Sequence, residues 1–282
     1  MIIVADSGST RTDWVVIKEK EIFSTFNTIG FNPYFVKAEE IKSELEQNFP
    51  CTINLEDISN VYFYGSGCSS FEMNQEIHKR LSSFFTKSEI EVEHDLLAAA
   101  RALFGNDEGI AVILGTGANT CHYNGKDIIK NVTSLGFILG DEGGADHLGK
   151  LFIQDYLNED LPVDISEKFY SEFRLSKTQI FQAVYKKAHP NRFLASFSKF
   201  IRENSNSKAV LDIIERSFNQ LFVKHICKYE NYKELPLRAT GSVAFFYEKE
   251  LNEVAKKYDT KFEKIIREPI DSLTQYHINM IV

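Results

Sequence analysis

The sequence predicts an α/β protein made of two similarly ordered domains. Three observations point there: a meander of three strand-like runs at the start, an alternation of helical and strand patterns after it, and a restart of the same programme near Gly109. Antiparallel strands followed by alternating helices and parallel strands specify a layered α/β domain. A chain of 282 residues suits two domains of middling size.

The first strands are expected at 2–6, 12–18 and 21–28, separated by Ser7-Gly8-Ser9-Thr10 and by Glu19-Lys20. A helix is expected at 38–48, an apolar strand at 61–64, a helix at 73–85 and a strand at 89–94. Leu96-Leu97-Ala98-Ala99-Ala100 is rich in strong helix formers, and Gly105 stops that helix. From Gly109 the order repeats: an apolar strand at 110–114, a turn at Gly115-Thr116-Gly117-Ala118, and strands at 120–123 and 127–132. Residues 145–229 read as mostly helical packing, with Ser176-Lys177-Thr178-Gln179 fitting a capping box. A strand at 235–240, a helix from Gly241 to 258, a strand at 262–267 and a helix after Pro269 complete the chain.

Composition narrows the function. Forty acidic residues against 32 basic ones give a net charge of -8, which disfavours a general nucleic-acid role. No apolar run approaches the ~18 residues of a membrane span, and the first residues, Met1-Ile2-Ile3-Val4-Ala5-Asp6, read as a core strand and not as a signal peptide. A cytoplasmic protein is expected. Cys51, Cys68, Cys121 and Cys227 stand far apart, which suggests neither a zinc site nor a disulfide framework.

Three loops carry candidate chemistry. In Asp6-Ser7-Gly8-Ser9-Thr10, a glycine and small hydroxyl residues let the backbone approach a phosphate, and Asp6 is a hard oxygen suited to a hydrated Mg2+. Read alone, the same residues also describe an ordinary hairpin. Gly115-Thr116-Gly117-Ala118-Asn119-Thr120 is a second such loop, or a tight turn of type I′ or II′. Ala239-Thr240-Gly241-Ser242-Val243 is a third; there Gly241 lets a flat adenine or ribose lie on the backbone, or simply serves a strand–helix junction.

In this order the three loops resemble the phosphate 1, phosphate 2 and adenosine motifs of the actin-like ATPase superfamily, which includes sugar kinases, actin-like filaments and heat-shock chaperones. The resemblance spans nearly the whole chain. It implies two ribonuclease-H-like domains with ATP in the cleft between them, and a C-terminal helix that returns to the first domain. The expected division is 1–107 plus 269–282 for the first domain and 108–268, with a helical insertion, for the second. The implied ATP contacts are Ser7, Gly8, Ser9, Thr10, Gly115, Thr116, Gly117, Gly241 and Ser242, with Asp6 on the metal.

Asp95 stands between a strand and the Ala-rich helix. A kinase acting on an alcohol needs a carboxylate at such a place to take the hydroxyl proton; an N-cap Asp is the structural alternative. Gly140-Asp141-Glu142-Gly143, with Asp95 and the Leu114-Gly115-Thr116-Gly117-Ala118-Asn119 run, is similar to the N-acetylglucosamine kinase and BadF/BcrA-type ATPase family. Acidic residues that complement a helix dipole are the plainer account of Asp141-Glu142. The resemblance implies Asp141, Asn119, Asn32, Ser66 and Gly67 as sugar-binding residues and Asp95 as the base. Where animal N-acetylglucosamine kinases read Gly-Gly-Trp-Gly, this chain reads Thr133-Ser134-Leu135-Gly136, so the pocket near the N-acetyl group is expected to differ.

The expected activity is therefore ATP- and Mg2+-dependent phosphorylation of an amino sugar such as N-acetylglucosamine or glucosamine. Its partners are small molecules, with a homodimer left open. An ATPase activator of a 2-hydroxyacyl-CoA dehydratase shares the fold but holds an iron–sulfur cluster with cysteines, and the isolated cysteines here argue against it. A noncatalytic sugar sensor is the other rival, and the set Asp6, Asp95 and Asp141 weighs against it.

Overall fold

The computed structural model describes every residue except Ser9, Phe35 and Val282. The chain divides into two compact units. The first comprises Met1–Asn106, Gly125–Asp127 and the C-terminal segment from Pro269; the second comprises Asp107–Asn124 and Ile128–Glu268.

The first unit is built on a five-stranded sheet of β1 (Ile2–Ser7), β2 (Arg11–Lys18), β3 (Glu21–Ile29), β4 (Asn60–Gly65) and β5 (Glu89–His94), ordered β3-β2-β1-β4-β5. β1 to β3 pair antiparallel, whereas β4 and β5 join parallel to β1. The centre of the core is Trp14, fully buried and stacked on Phe26 at 5.4 Å with Phe31 edge-on at 5.8 Å. Its indole Nε1 donates to Thr28 Oγ1 at 2.9 Å, so the one polar atom of this ring is satisfied.

The helix Ile270–Met280 packs on this same unit, against the helix Asp95–Phe104 and β1. A buried polar chain fixes it: Arg101 Nη1 donates to Tyr64 Oη at 2.5 Å, and Tyr64 lies 2.8 Å from His277 Nε2. Burial, with the Arg101 charge, pushes His277 down to about 3, so its ring is neutral and its Nε2 accepts a hydrogen bond from Tyr64 Oη.

The second unit repeats the plan with β6 (Glu108–Leu114), β7 (Ala118–Asn124), β8 (Ile128–Val132), β9 (Leu237–Thr240) and β10 (Phe262–Ile266), ordered β10-β9-β6-β7-β8. Here too the first three strands are antiparallel, and β9 and β10 join parallel. Between β8 and β9 lies a helical insertion that includes Ala145–Leu157, Val163–Phe173, Lys177–Tyr185, Pro190–Ala195, Ser198–Glu203 and Lys208–Lys224. Its core is aromatic: Phe152, Phe169, Phe197 and Phe200 meet with ring centroids 5.1 to 5.5 Å apart. Burying each such ring contributes about 1.5–3 kcal/mol, and these rings belong to one core with Ile110, Val112 and Leu237 of the sheet. The capping box stands as read from the sequence, with Gln179 N donating to Ser176 Oγ at 3.3 Å and Ser176 N to Gln179 Oε1 at 2.9 Å.

Three local expectations change. The helix expected at 73–85 is Phe71–Ser82, because Ser70 Oγ caps Met73 N and Phe84 and Phe85 leave the helix to pack on Phe49. The helix expected up to 258 breaks into Ser242–Phe246 and Glu248–Lys256 at Tyr247, whose buried hydroxyl donates to Ser198 O. A short helix, Gly136–Leu139, appears where none was expected.

Candidate active site

In the first unit, β1, β4 and β5 run parallel and end in register, with Ser7 beside Gly65 and Gly65 beside His94. Ligands of α/β sheets bind outside such carboxyl ends, where the loops converge. The sequence-predicted residues Asp6 to Thr10, Ser66, Gly67 and Asp95 all sit at these ends; Ser9 lies outside the described residues.

Ser7 is buried, and its hydroxyl is engaged within the fold: it lies 2.8 Å from Thr12 Oγ1 and accepts from Phe31 N at 2.9 Å. Its carbonyl accepts from Ser66 N at 2.8 Å. Ser7 therefore shapes the loop, and a contact from it to a phosphate would have to come from the main chain. Gly8 N closes the turn on Arg11 O at 3.0 Å and leaves Gly8 and Thr10 exposed. Asp6 is half-buried and directly opposite Asp13 across β1 and β2, so the two carboxylates share a face. Asp13 is held by Arg11 at 2.6 Å and by Asn27 Nδ2 at 2.6 Å.

Asn32 and Gly67 are brought together. Asn32 is buried, its Oδ1 accepts from Tyr34 N at 3.0 Å, and a Cβ at Gly67 would lie 2.9 Å from the Asn32 side-chain amide. Only a glycine lets the loop after β4 lie on that amide.

Asp95 is the first residue of its helix, and the N-cap is His94, whose Nδ1 accepts from Leu96 N at 2.9 Å. The capping role that competed for Asp95 is thus performed by its neighbour. Asp95 Oδ1 lies 2.8 Å from the same Nδ1. A single nitrogen cannot do both: a neutral His94 caps the helix, and an imidazolium donates to Asp95. Burial lowers the His94 ring, but the bond and charge of Asp95 together with Glu93 outweigh it and leave it raised above its usual value. Burial and then the Asp95 and Glu93 charges push Cys68 up to about 12, so this thiol stays neutral.

In the second unit, β6 and β9 also end side by side, with Ile113 opposite Thr240. Gly241 follows at φ +113°, and a Cβ there would lie 2.3 Å from Leu114 O. Both the conformation and the close approach demand glycine. Ser242 opens the next helix and is exposed.

The Gly115–Gly117 loop interlocks with the Gly-Asp-Glu-Gly segment. Ala145 N donates to Gly115 O at 3.0 Å and Asp146 N to Thr116 O at 2.9 Å, so the start of the helix Ala145–Leu157 clasps the loop carbonyls. Gly144 lies flat on Gly117, where an added Cβ would come within 2.7 Å of the Gly117 carbonyl carbon. Asp141 sits over Gly117 with φ +60°, a left-handed conformation that Asp adopts more readily than most residues. Its Oδ1 accepts from Ser134 Oγ at 2.9 Å and from Ala118 N at 3.4 Å. Ser134 belongs to the segment that departs from the animal kinases, so that departure reaches the Asp141 carboxylate directly. Asn119 points elsewhere: its Oδ1 accepts from Asn131 Nδ2 and from Thr120 N, both at 3.0 Å.

His225 and Asp146 carry no sequence signal of their own, although Glu142 beside them does. Glu142 is buried against His225 Nε2 at 3.0 Å; burial alone would raise its carboxyl, but this bond brings it below the usual value. Asp146 is 1 % exposed. His94 could have been noticed, since a His-Asp pair at a strand–helix junction offers two ionisable groups one residue apart.

The solved structures place this geometry. A candidate N-acetylglucosamine kinase from Porphyromonas gingivalis is 41% identical to the chain, with 100% of each chain covered and a TM-score of 0.94. The chain belongs to the N-acetylglucosamine kinase-like family of the actin-like ATPase superfamily. At the level of fold alone, this family member also superposes on a candidate N-acetylglucosamine kinase from Chromobacterium violaceum, at 13% identity, 98% coverage of both chains and a TM-score of 0.74. A glucokinase of the ROK family from Streptomyces griseus, solved with glucose and AMPPNP, matches at 12% identity over 99% of this chain and 98% of its own, with a TM-score of 0.55. No protein-family model and no curated protein matches the chain.

Proposed function

We propose that the protein, an ATP-dependent carbohydrate kinase, transfers the γ-phosphoryl group of ATP to a hydroxyl of an amino sugar, N-acetylglucosamine or glucosamine. The observation that carries this reading is the full-length 41% identity to the candidate N-acetylglucosamine kinase, joined to the residues that this chain places at its strand ends.

Asp95 is the general base. It is about a quarter exposed, stands at the carboxyl end of β5, and is tied to the fold through His94 on one side only. In the reaction the sugar oxygen attacks the γ-phosphorus, the bond from that phosphorus to the bridging oxygen breaks, ADP leaves, and the hydroxyl proton passes to Asp95. Asp141 accepts hydrogen bonds from sugar hydroxyls, and Asn32 beside Gly67 lends an amide to the same substrate. The loops around Gly8 and Gly115 approach the phosphates through their remaining polar groups, since Gly8 N and Gly115 N already close their own turns on Arg11 O and Gly117 O, and Gly241 with Ser242 receives the adenosine.

Asp6 fits Mg2+, since it is a hard carboxylate near the end of β1. A metal held by one carboxylate, water and phosphate oxygens has the coordination that Mg2+ prefers. Bound there, it would neutralise charge on the phosphates. The four cysteines are free thiols, and no described helix is long and apolar enough to cross a membrane, in keeping with a cytoplasmic setting.

The test is a panel. Purified protein with ATP and Mg2+ is offered N-acetylglucosamine, glucosamine and N-acetylmuramic acid derivatives, and the sugar phosphate is identified by mass spectrometry. Stoichiometric formation of one sugar phosphate and ADP is expected. Sugar binding with no product from any member of the panel would overturn the reading in favour of a sensor.

A further inference from the structure

Asp146 is the second residue of the helix Ala145–Leu157, directly behind the Gly115–Gly117 loop. Its main-chain N–H is anchored on Thr116 O, its side chain is 1 % exposed, and neither carboxylate oxygen meets a hydrogen-bond donor. Buried polar atoms are nearly always satisfied, so this orphan needs an account.

Most surrounding side-chain donors are engaged elsewhere, and burial and Asp141 outweigh the nearby His147 main-chain N–H and Lys150 charge, which act in the opposite sense. On its own helix, Lys150 Nζ donates to Phe137 O at 3.0 Å, and His147 Nδ1 pairs with Ser217 Oγ at 2.8 Å on the helix Lys208–Lys224. Burial pushes His147 down to about 4, so it brings no charge. Glu142 of the preceding loop holds His225, and Arg216 of the helix Lys208–Lys224 holds Asp155 at 2.5 Å. The side chain that acts on Asp146 most strongly is Asp141, a second carboxyl. A hydrogen bond between two carboxyl groups requires a proton on one of them.

We propose that Asp146 and Asp141 form a proton-sharing pair in which Asp146 donates to Asp141 and so orients it to accept hydrogen bonds from substrate hydroxyls. Asp146 is a positioning residue and does not touch the sugar. The proposal rests on the reading of Asp141 as a sugar ligand. Asp141 needs such support, because its backbone is left-handed and its Oδ1 is otherwise held by Ser134 and Ala118 N. Burial first, then the Asp141 charge, push Asp146 up to about 8 even though it lies in a helix's first turn, where a negative charge is favoured. Above that pH the pair carries two charges, and repulsion displaces Asp141.

The test compares wild type, Asp146→Asn and Asp146→Leu with ATP, Mg2+ and N-acetylglucosamine, which has no titratable group. In wild type the sugar KM should rise by up to about tenfold per pH unit above about pH 8, with the ATP KM level. Asp146→Asn retains a donor that cannot ionise, so its sugar KM should stay flat over the same range. Asp146→Leu has no donor and should show a sugar KM raised by about tenfold at every pH. Infrared spectra of the ligand-free protein should show a protonated carboxyl band near neutral pH that Asp146→Asn abolishes. The same alkaline rise in Asp146→Asn, or no protonated carboxyl in wild type near neutral pH, would overturn the pair. Absence of turnover with any sugar would overturn the kinase reading instead, and the infrared arm would still decide the pair.

Discussion

Gly144→Ala places one methyl group at a tight junction of the site, where helix and phosphate loop meet. Gly144 has φ -73° and ψ 164°, which alanine adopts without strain, so the cost is steric alone. The new Cβ would lie 2.7 Å from the Gly117 carbonyl carbon, 2.8 Å from its Cα and 2.9 Å from its oxygen. All three are main-chain atoms and cannot rotate away. Relief requires the loop to lift, which strains the bonds Ala145 N to Gly115 O and Asp146 N to Thr116 O. Overpacking of this kind costs about 1–3 kcal/mol. The loss of unfolded-state freedom on replacing glycine returns about 0.4–1 kcal/mol, leaving a net loss of about 1–2 kcal/mol. Urea unfolding followed by far-UV circular dichroism reads the total. Fluorescence of Trp14, the only tryptophan, reads the first unit by itself and should not shift if the damage is confined to the second. The lifted loop should also raise the KM for ATP several-fold. A variant with wild-type stability and wild-type ATP KM would refute the claim that this contact shapes the phosphate loop.

Two further outcomes follow from buried polar groups. Thr28→Val keeps the shape but removes the acceptor of the Trp14 indole, and should cost about 1–3 kcal/mol, read as an earlier Trp14 transition in urea. Asp146→Asn should gain stability over wild type as pH rises. The folded carboxyl titrates near 8 and the unfolded one near 4, so wild type carries no penalty below about pH 4 and loses up to about 1.4 kcal/mol per unit until about pH 8. Discounted for relaxation, the difference between the two proteins should grow by about 1–3 kcal/mol between about pH 5 and pH 7.5, and a constant difference would contradict it.

The sequence revealed the parts of the fold that depend on local pattern. The meander of β1 to β3, the alternation after it and its repeat from β6 are visible because the strands are short and most are closed by a Gly/Ser turn or, between β2 and β3, by Glu19-Lys20. The break at Tyr247 was hidden, because it depends on a hydrogen bond to Ser198, about fifty residues away in sequence. The start of the helix at Phe71 was missed because Ser70 is one of several consecutive small residues that could cap it.

In the site, the loops were legible as motifs, and what each side chain does was not. Ser7 reads as a phosphate contact, yet its hydroxyl joins β1 to β2 and to the segment after β3 through Thr12 and Phe31. Asp95 reads as an N-cap or a base, and only the position of His94 separates these. Ser134 and Asp146 look unremarkable in sequence because their meaning lies in a shared neighbour, Asp141, whose placement depends on the closure of the second unit's loops.

The central claim is that Asp95 takes the proton of a sugar hydroxyl during phosphoryl transfer. The measurement that bears on it most directly is sugar-dependent ADP release by Asp95→Asn beside wild type, with ATP binding measured by calorimetry on both. The account predicts a fall in kcat of about 10²–10⁴-fold with ATP affinity retained. Asp95→Asn that releases ADP at the wild-type sugar-dependent rate would contradict it.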